Sequence, residues 1–144
     1  MFQRILVPTD GSDITANAVN TAIQLAKVHG AQLLTLSVME PFPYSAVSEI
    51  QPVPPQEFID AQQRVATQRV EAVSAAAAAQ GLSCRAHTVE GLHAWEAIVD
   101  HAKAENVDLI VMASHGRTGL AALLLGSEAQ KVITHVELPV LIVK

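Results

Sequence analysis

Val107-Asp108-Leu109-Ile110-Val111-Met112 carries one polar residue in six, and Ala113-Ser114-His115-Gly116 follows at once. A strand with one wet face alternates apolar and polar side chains. A run this continuous therefore predicts a strand buried on both faces. Ile5-Leu6-Val7 and Val140-Leu141-Ile142-Val143 read the same way. Leu33 to Val38 adds a further apolar run. Cys84-Arg85-Ala86-His87-Thr88-Val89 alternates and is expected at a sheet edge.

Helical stretches separate these runs. Ser12 or Asp13 caps a helix reaching Lys27 or His29, with Gly30 as its stop and Ala18, Ala22, Leu25 and Ala26 at helical spacing. A second helix starts near Pro55, passes Val73 and the alanines at 75–79, and ends at Gly81. The alanines express helix propensity and imply no chemistry. A third runs from Leu92 to Ala104, with Ala94, Ile98 and Ala102 on one side; a fourth follows Gly126-Ser127 and ends near Val136, before Pro139. Strict alternation of strand and helix specifies an α/β fold: an open, doubly wound, parallel five-stranded sheet with helices on both faces and right-handed crossovers. No repeat or linker divides residues 1–144, which read as one domain. Pro41 to Pro54 holds four of the seven prolines. It reads as a surface loop of about fifteen residues, and loops of that length are usually functional lids or mobile.

Composition narrows the function. Half of the 144 residues are apolar, which excludes intrinsic disorder. A chain of this length buries roughly 68–70% of its unfolded surface, so it needs neither disulfides nor a structural metal. Nine Lys and Arg stand against fourteen Asp and Glu, with no basic cluster, and aromatics make up 3%. Nucleic-acid binding, which needs phosphate neutralisation and stacking platforms, is thereby disfavoured. Cys84 is the only cysteine; it is expected as a small core or edge side chain and fits a reducing compartment. Pro8 and Asp10 arrive too early for a signal-peptide core, and no apolar run reaches the ~20 residues of a membrane span. The expectation is a cytoplasmic protein with no membrane insertion.

Ligands of open α/β sheets sit beyond the carboxyl ends of the strands, where strand order reverses. The segments to inspect are Pro8-Thr9-Asp10-Gly11-Ser12, Val38-Met39-Glu40 and Ala113 to Gly119. Gly116 and Gly119 allow close backbone approach and positive φ. Ten residues after Gly116, Gly126-Ser127 opens a helix whose unpaired N–H groups and positive dipole end suit a phosphate. The Ser127 hydroxyl can cap that helix or bond a phosphate oxygen, and Arg117 can add charge. Two turns and an N-cap explain the same residues without a ligand, and both readings stand at this level. Neither a Walker sequence nor a Gly-x-Gly-x-x-Gly after the first strand is present.

Other residues have two readings as well. Asp10 is either a turn residue bonding nearby N–H groups or a group that bonds ribose hydroxyls or acts indirectly at a metal. His115 is a loop-stabilising group, a phosphate partner or an acid, the first being the commoner role in a glycine loop. His87, His93 and His101 are spaced by six and eight residues, which matches no compact metal-ligand pattern. Leu120 to Leu125 packs on the domain or covers a ligand, and Trp95 is expected to pack.

Ala113-Ser114-His115-Gly116, nine residues, then Gly126-Ser127 resembles the nucleotide-loop signature of the universal stress proteins, Gly-x-x-Gly, nine residues, Gly-Ser/Thr. Ile5-Leu6-Val7-Pro8-Thr9-Asp10-Gly11-Ser12 looks like that family's first strand and turn, and Pro139 to Lys144 like its end. The resemblance covers essentially the whole chain. It implies strand order 3-2-1-4-5, a homodimer through the last strand, and the ATP-binding branch. Pro8, Thr9 and Asp10 would then line the adenosine. The Val38 backbone would meet the adenine edge, and Met112 and Ala113 would border the ribose. Gly116, Gly126, Ser127 and Glu128 would surround the phosphates. One departure is Ala113 in place of the signature's first glycine. If the position needs positive φ, Ala costs about 1 kcal/mol; if it needs only a small side chain, Ala serves, and the second case is favoured. The Glu128 carboxylate beside phosphates is the other tension, which a bound Mg²⁺ would reconcile. The resemblance implies a nucleotide-dependent stress-response module with at most slow ATP hydrolysis and no assigned catalytic residue. The alternatives are a nucleotide-free interaction module and an adenine-nucleotide α-hydrolase-like enzyme whose substrate pocket the Pro41–Pro54 loop helps to build.

Overall fold

The computed structural model describes residues 1–41, 55–116 and 125–144. The elements run β1 Arg4–Pro8, α1 Asp13–His29, β2 Gln32–Met39, α2 Gln56–Ala78, β3 Cys84–Glu90, α3 Ala94–Ala104, β4 Leu109–Ala113, α4 Ser127–His135 and β5 Val140–Val143. All strand pairs are parallel, in the order β3-β2-β1-β4-β5. The expected architecture and strand order are therefore what the chain forms.

The continuous apolar runs have a direct cause. Ile5, Val7, Leu33, Leu109 and Val111 face α1 and α2, packing on Ala18, Ala22, Ile23, Ala26, Val73 and Ala77. Leu6, Leu34, Leu36, Ile110 and Met112 face the opposite way, onto Ile98 and Ala102 of α3 and Ala129 and Val132 of α4. Successive strand residues point to opposite faces, so covering both faces demands an apolar side chain at every position. The small alanines on the helices let them settle close to the sheet. β3 pairs with β2 alone among the described residues, as expected of its alternating sequence. Burial pushes the Cys84 thiol up, only partly opposed by a hydrogen bond with Ser74, so it stays protonated.

Helix ends show where sequence and structure differ. Gly30 ends α1 in the left-handed region at φ +64°, as predicted. Ser12 holds the N-cap position of α1, but its hydroxyl meets Thr15 Oγ1 at 2.8 Å rather than a backbone N–H. β4 begins at Leu109 instead of Val107, because Val107 N–H returns to the Ala102 carbonyl at 2.9 Å with Asn106 at φ +53°. The residues after α3 are spent closing that helix, with Asn standing where glycine is usual. Among the described residues no helix is long and apolar enough to cross a membrane.

Two outcomes follow from this packing. Ile110 is fully buried, so Ile110→Ala is expected to cost ~2–5 kcal/mol, seen as a lower urea midpoint at unchanged slope. His101 lies 4.9 Å, ring centre to ring centre, from His87. Burial, then the neighbouring His87, hold it below its ordinary 6.5, with Glu105 opposing and Arg85 adding. A depressed histidine stabilises the fold above its unfolded value, and that contribution is lost as pH falls through the depressed folded value. Stability of the unaltered chain should therefore drop more steeply than that of His101→Gln between about pH 7 and about pH 5, as measured by urea unfolding.

Candidate functional site

The sheet opens at its centre. β1 pairs with β2 along its whole length, from Arg4↔Gln32 to Pro8↔Leu36, and β4 pairs with β5 as far as Ala113↔Val143. Between β1 and β4 the register covers only Ile5↔Leu109 and Leu6↔Ile110. Beyond those pairs each strand bonds outward: Thr9 N–H to the Leu36 carbonyl and Ser114 N–H to the Val143 carbonyl, both at 2.9 Å. Pro8 has no N–H to offer. The two carboxyl ends thus part where strand order reverses, and a cleft of about 500 Å³ lies there.

Asp10 shapes the β1 side. Its Oδ1 accepts from Ser12 N–H at 2.9 Å and from the Thr15 hydroxyl at 2.8 Å. This is the turn arrangement read from the sequence, with the carboxylate also lining the cleft. Gly11 follows at φ +79°, a conformation that favours glycine, and the Arg69 stem lies against it.

The β4 side is built by close approach. A Cβ on Gly126 would sit 2.9 Å from the Ser114 carbonyl oxygen, to which Gly126 N–H donates at 2.6 Å. A Cβ on Gly116 would sit 2.8 Å from Asp10 Oδ2. Space rather than positive φ is what requires Gly116, since its φ is not positive; this corrects the sequence expectation. Ala113 closes β4 in extended conformation, so its methyl costs no backbone strain, and the small-side-chain case holds.

Gly126, not Ser127, is the N-cap of α4, and no side chain among the described residues caps it. Ser127 is the first helical residue, which corrects the capping role read for its hydroxyl. The first turn of α4, at Ser127, Glu128 and Ala129, therefore borders the cleft with no capping side chain among the described residues. His115 stands beside them, with Nδ1 3.0 Å from the Ser114 hydroxyl and Nε2 buried without a partner among the described residues.

Glu128 turns its charge elsewhere. Its Oε2 accepts from Trp95 N–H at 2.7 Å, and so caps α3 from the neighbouring helix. This bond ties α4 to the segment Gly91–Ala94, which walls the far side of the cleft. Leu36, Val38, Ile98 and Met112 form an apolar wall between them.

Every expected site residue within the described chain borders this one cleft: Pro8, Thr9 and Asp10 from β1 and its turn, Val38 from β2, Met112, Ala113 and Gly116 from β4 and its loop, and Gly126, Ser127 and Glu128 from α4. Arg117, Gly119 and Leu120 to Leu124 lie outside the described residues, as does most of the Pro41–Pro54 loop. Sequence reading missed Arg69, Thr15 and the Gly91–Ala94 segment. Arg69 had a signal: it falls three residues after Ala66 and four before Val73, on the buried stripe of α2. Among the described residues no three His, Cys, Asp or Glu side chains converge as a metal-ligand set.

The profile of the universal stress protein family matches residues 1–144. The universal stress protein YxiE of Bacillus subtilis is 36% identical over 100% of both chains. Among solved structures, this chain is similar to MJ0577 of Methanocaldococcus jannaschii, at a TM-score of 0.84 and 30% identity, covering 100% of this chain and 96% of that one. It is also similar to a universal stress protein solved in complex with cAMP, at a TM-score of 0.71 and 27% identity, covering 99% and 97%.

The steric readings predict an order of effects. Gly126→Ala drives a methyl into a backbone carbonyl and should cost ~1–3 kcal/mol by thermal or urea unfolding. Gly116→Ala should cost less, because the methyl meets a side-chain oxygen of Asp10 rather than backbone. Glu128→Ala should cost about 1 kcal/mol through the lost cap on α3, with Glu128→Gln keeping an acceptor and most of that stability.

Proposed function

Because this chain belongs to the universal stress protein family, we propose that the cleft between β1 and β4 binds an adenine nucleotide, ATP in the first instance, and that the protein works in the cytoplasm as a nucleotide-dependent regulatory module of the stress response. One observation carries this reading. The uncapped first turn of α4 opens onto the parted strand ends, and Gly126 is pressed so closely on Ser114 that only glycine fits. Backbone N–H groups so exposed suit the oxygens of a phosphate. The 500 Å³ of space falls within the ~300–1,000 Å³ usual for small-molecule sites.

In this reading the phosphates lie against Gly116, Gly126 and Ser127, with Arg117 adding charge. The ribose lies by Asp10, Met112 and Ala113, and the base rests by Pro8, Thr9 and the apolar wall at Val38. Glu128 contributes its backbone, since its carboxylate is occupied at Trp95. That engagement eases the conflict with phosphate. A phosphate oxygen about 4 Å from a free carboxylate would otherwise meet roughly 4 kcal/mol of repulsion at an effective dielectric of 20. A Mg²⁺ accompanying the nucleotide would be held chiefly by phosphate oxygens and water, with Asp10 the carboxylate that lines the β1 side of the cleft. The family member solved with cAMP supports an adenine nucleotide as the ligand class.

Binding rather than turnover is the better reading. Asp10 Oδ1 already accepts two hydrogen bonds and Glu128 is engaged at α3, so neither is poised as a base for water. Slow hydrolysis is the most this arrangement supports. β5 ends the strand order and leaves Leu141 39% exposed. Pairing this edge with its equivalent in a second copy would cover it, and a homodimer through β5 is part of the proposal.

Titration calorimetry with ATP, AMP and cAMP, alongside mass spectrometry of co-purifying ligands, tests the reading. Saturable ATP binding is expected, weakened by at least about tenfold in Gly126→Ala, a loss of ~1.4 kcal/mol. No binding of any of the three at millimolar concentration would overturn it.

A further inference from the structure

We propose that Arg69 is a specificity-determining residue of the cleft, supplying from α2 the cation that makes it prefer a phosphate-bearing nucleotide over the uncharged nucleoside. The inference rests on the nucleotide reading above and assigns to that site a residue outside its glycine loop.

Arg69 is half-buried on the stripe of α2 that otherwise buries Ala66, Val70, Val73 and Ala77. An arginine drawn onto such a stripe extends its methylenes along apolar surface and carries its head to the nearest polar space. Here the stem runs over Gly11: Cγ and Nε lie 3.1 and 3.4 Å from the point a Cβ on Gly11 would occupy. Gly11 directly follows Asp10, so the guanidinium end is delivered to the cleft at the turn beyond β1, and Arg69 borders that cleft.

Charge gives this position its meaning. Asp10 and Glu40 bring two carboxylates to the cleft, with that of Glu128 engaged at Trp95, and Arg69 is the sole Lys or Arg among its described lining residues. An anion entering this space needs a counter-charge, and Arg69 is the Lys or Arg residue of the described lining. Its direction matters too. α2 packs on the sheet face of Val73 and Ala77, whereas α4 packs on the opposite face with Ala129 and Val132. A phosphate between the parted strands therefore has backbone N–H groups on one side and a guanidinium on the other. Arginine suits the task better than lysine, because its planar fork donates two parallel hydrogen bonds to phosphate oxygens.

The test compares ATP and adenosine by titration calorimetry on the full chain and on Arg69→Met and Arg69→Lys. Methionine keeps an unbranched stem over Gly11 and removes the charge. The expected result is ATP affinity lower by about tenfold or more in Arg69→Met, partial recovery in Arg69→Lys, and adenosine affinity within about twofold throughout. Unchanged adenosine binding also certifies that the variants are folded. A second measurement needs no variant: ATP affinity of the unaltered chain should fall with added salt more steeply than adenosine affinity. If the unaltered chain binds ATP and Arg69→Met binds it equally well, or loses ATP and adenosine alike, the role of Arg69 is overturned and the nucleotide reading survives. If the unaltered chain binds neither ligand, both fall together.

Discussion

The parting of β1 from β4 is the constraint on which the rest of the molecule turns. A parallel sheet gains by bonding every strand to its neighbours, yet these two share only the pairs Ile5↔Leu109 and Leu6↔Ile110. Each then commits its next amide to the outer neighbour, at Leu36 and Val143. The strand order forces this choice: after β1 the chain turns to one side of the sheet, and after β4 to the other. The space left between them is a product of topology and exists before any side chain is considered. What the side chains decide is how that space is lined.

They line it from both faces of the sheet. From one side come Asp10, fixed by Ser12 and Thr15, and Arg69 over Gly11. From the other come the open amides of α4 and the apolar wall at Val38, Ile98 and Met112. The glycines matter here for different reasons. Gly11 is needed for its backbone angle, whereas Gly116 and Gly126 are needed because their neighbours stand too close for a Cβ. A single pattern of glycines in the sequence thus covers two distinct physical demands.

This explains what could be read in advance. Fold class was legible because burial on both faces leaves a plain mark, the unbroken apolar runs of β1 and β4; the similar run of β5 misled, since that strand ends the strand order and none of its four residues is fully buried. Strand order came from resemblance, since periodicity is silent about which strands are neighbours. The glycine loop and Asp10 were legible as a local pattern. Arg69 and the Gly91–Ala94 segment were not, because they reach the cleft through tertiary packing from elements distant in sequence. The bond made by the Glu128 carboxylate was not legible for the same reason. Its position in the first turn of α4 suggested a charge beside the ligand, and only the packing of α3 on α4 shows that the charge is used at Trp95.

The bond between Glu128 and Trp95 has an optical consequence. The chain has a single tryptophan, and its backbone is fastened to the helix that borders the cleft. Its indole rests 4.3 Å from the His135 imidazole, centre to centre, at the far end of that same helix. The protein therefore carries one tryptophan fluorophore, anchored at one end of α4 and touched by a quencher from the other. Any tilt of that helix alters the light it emits.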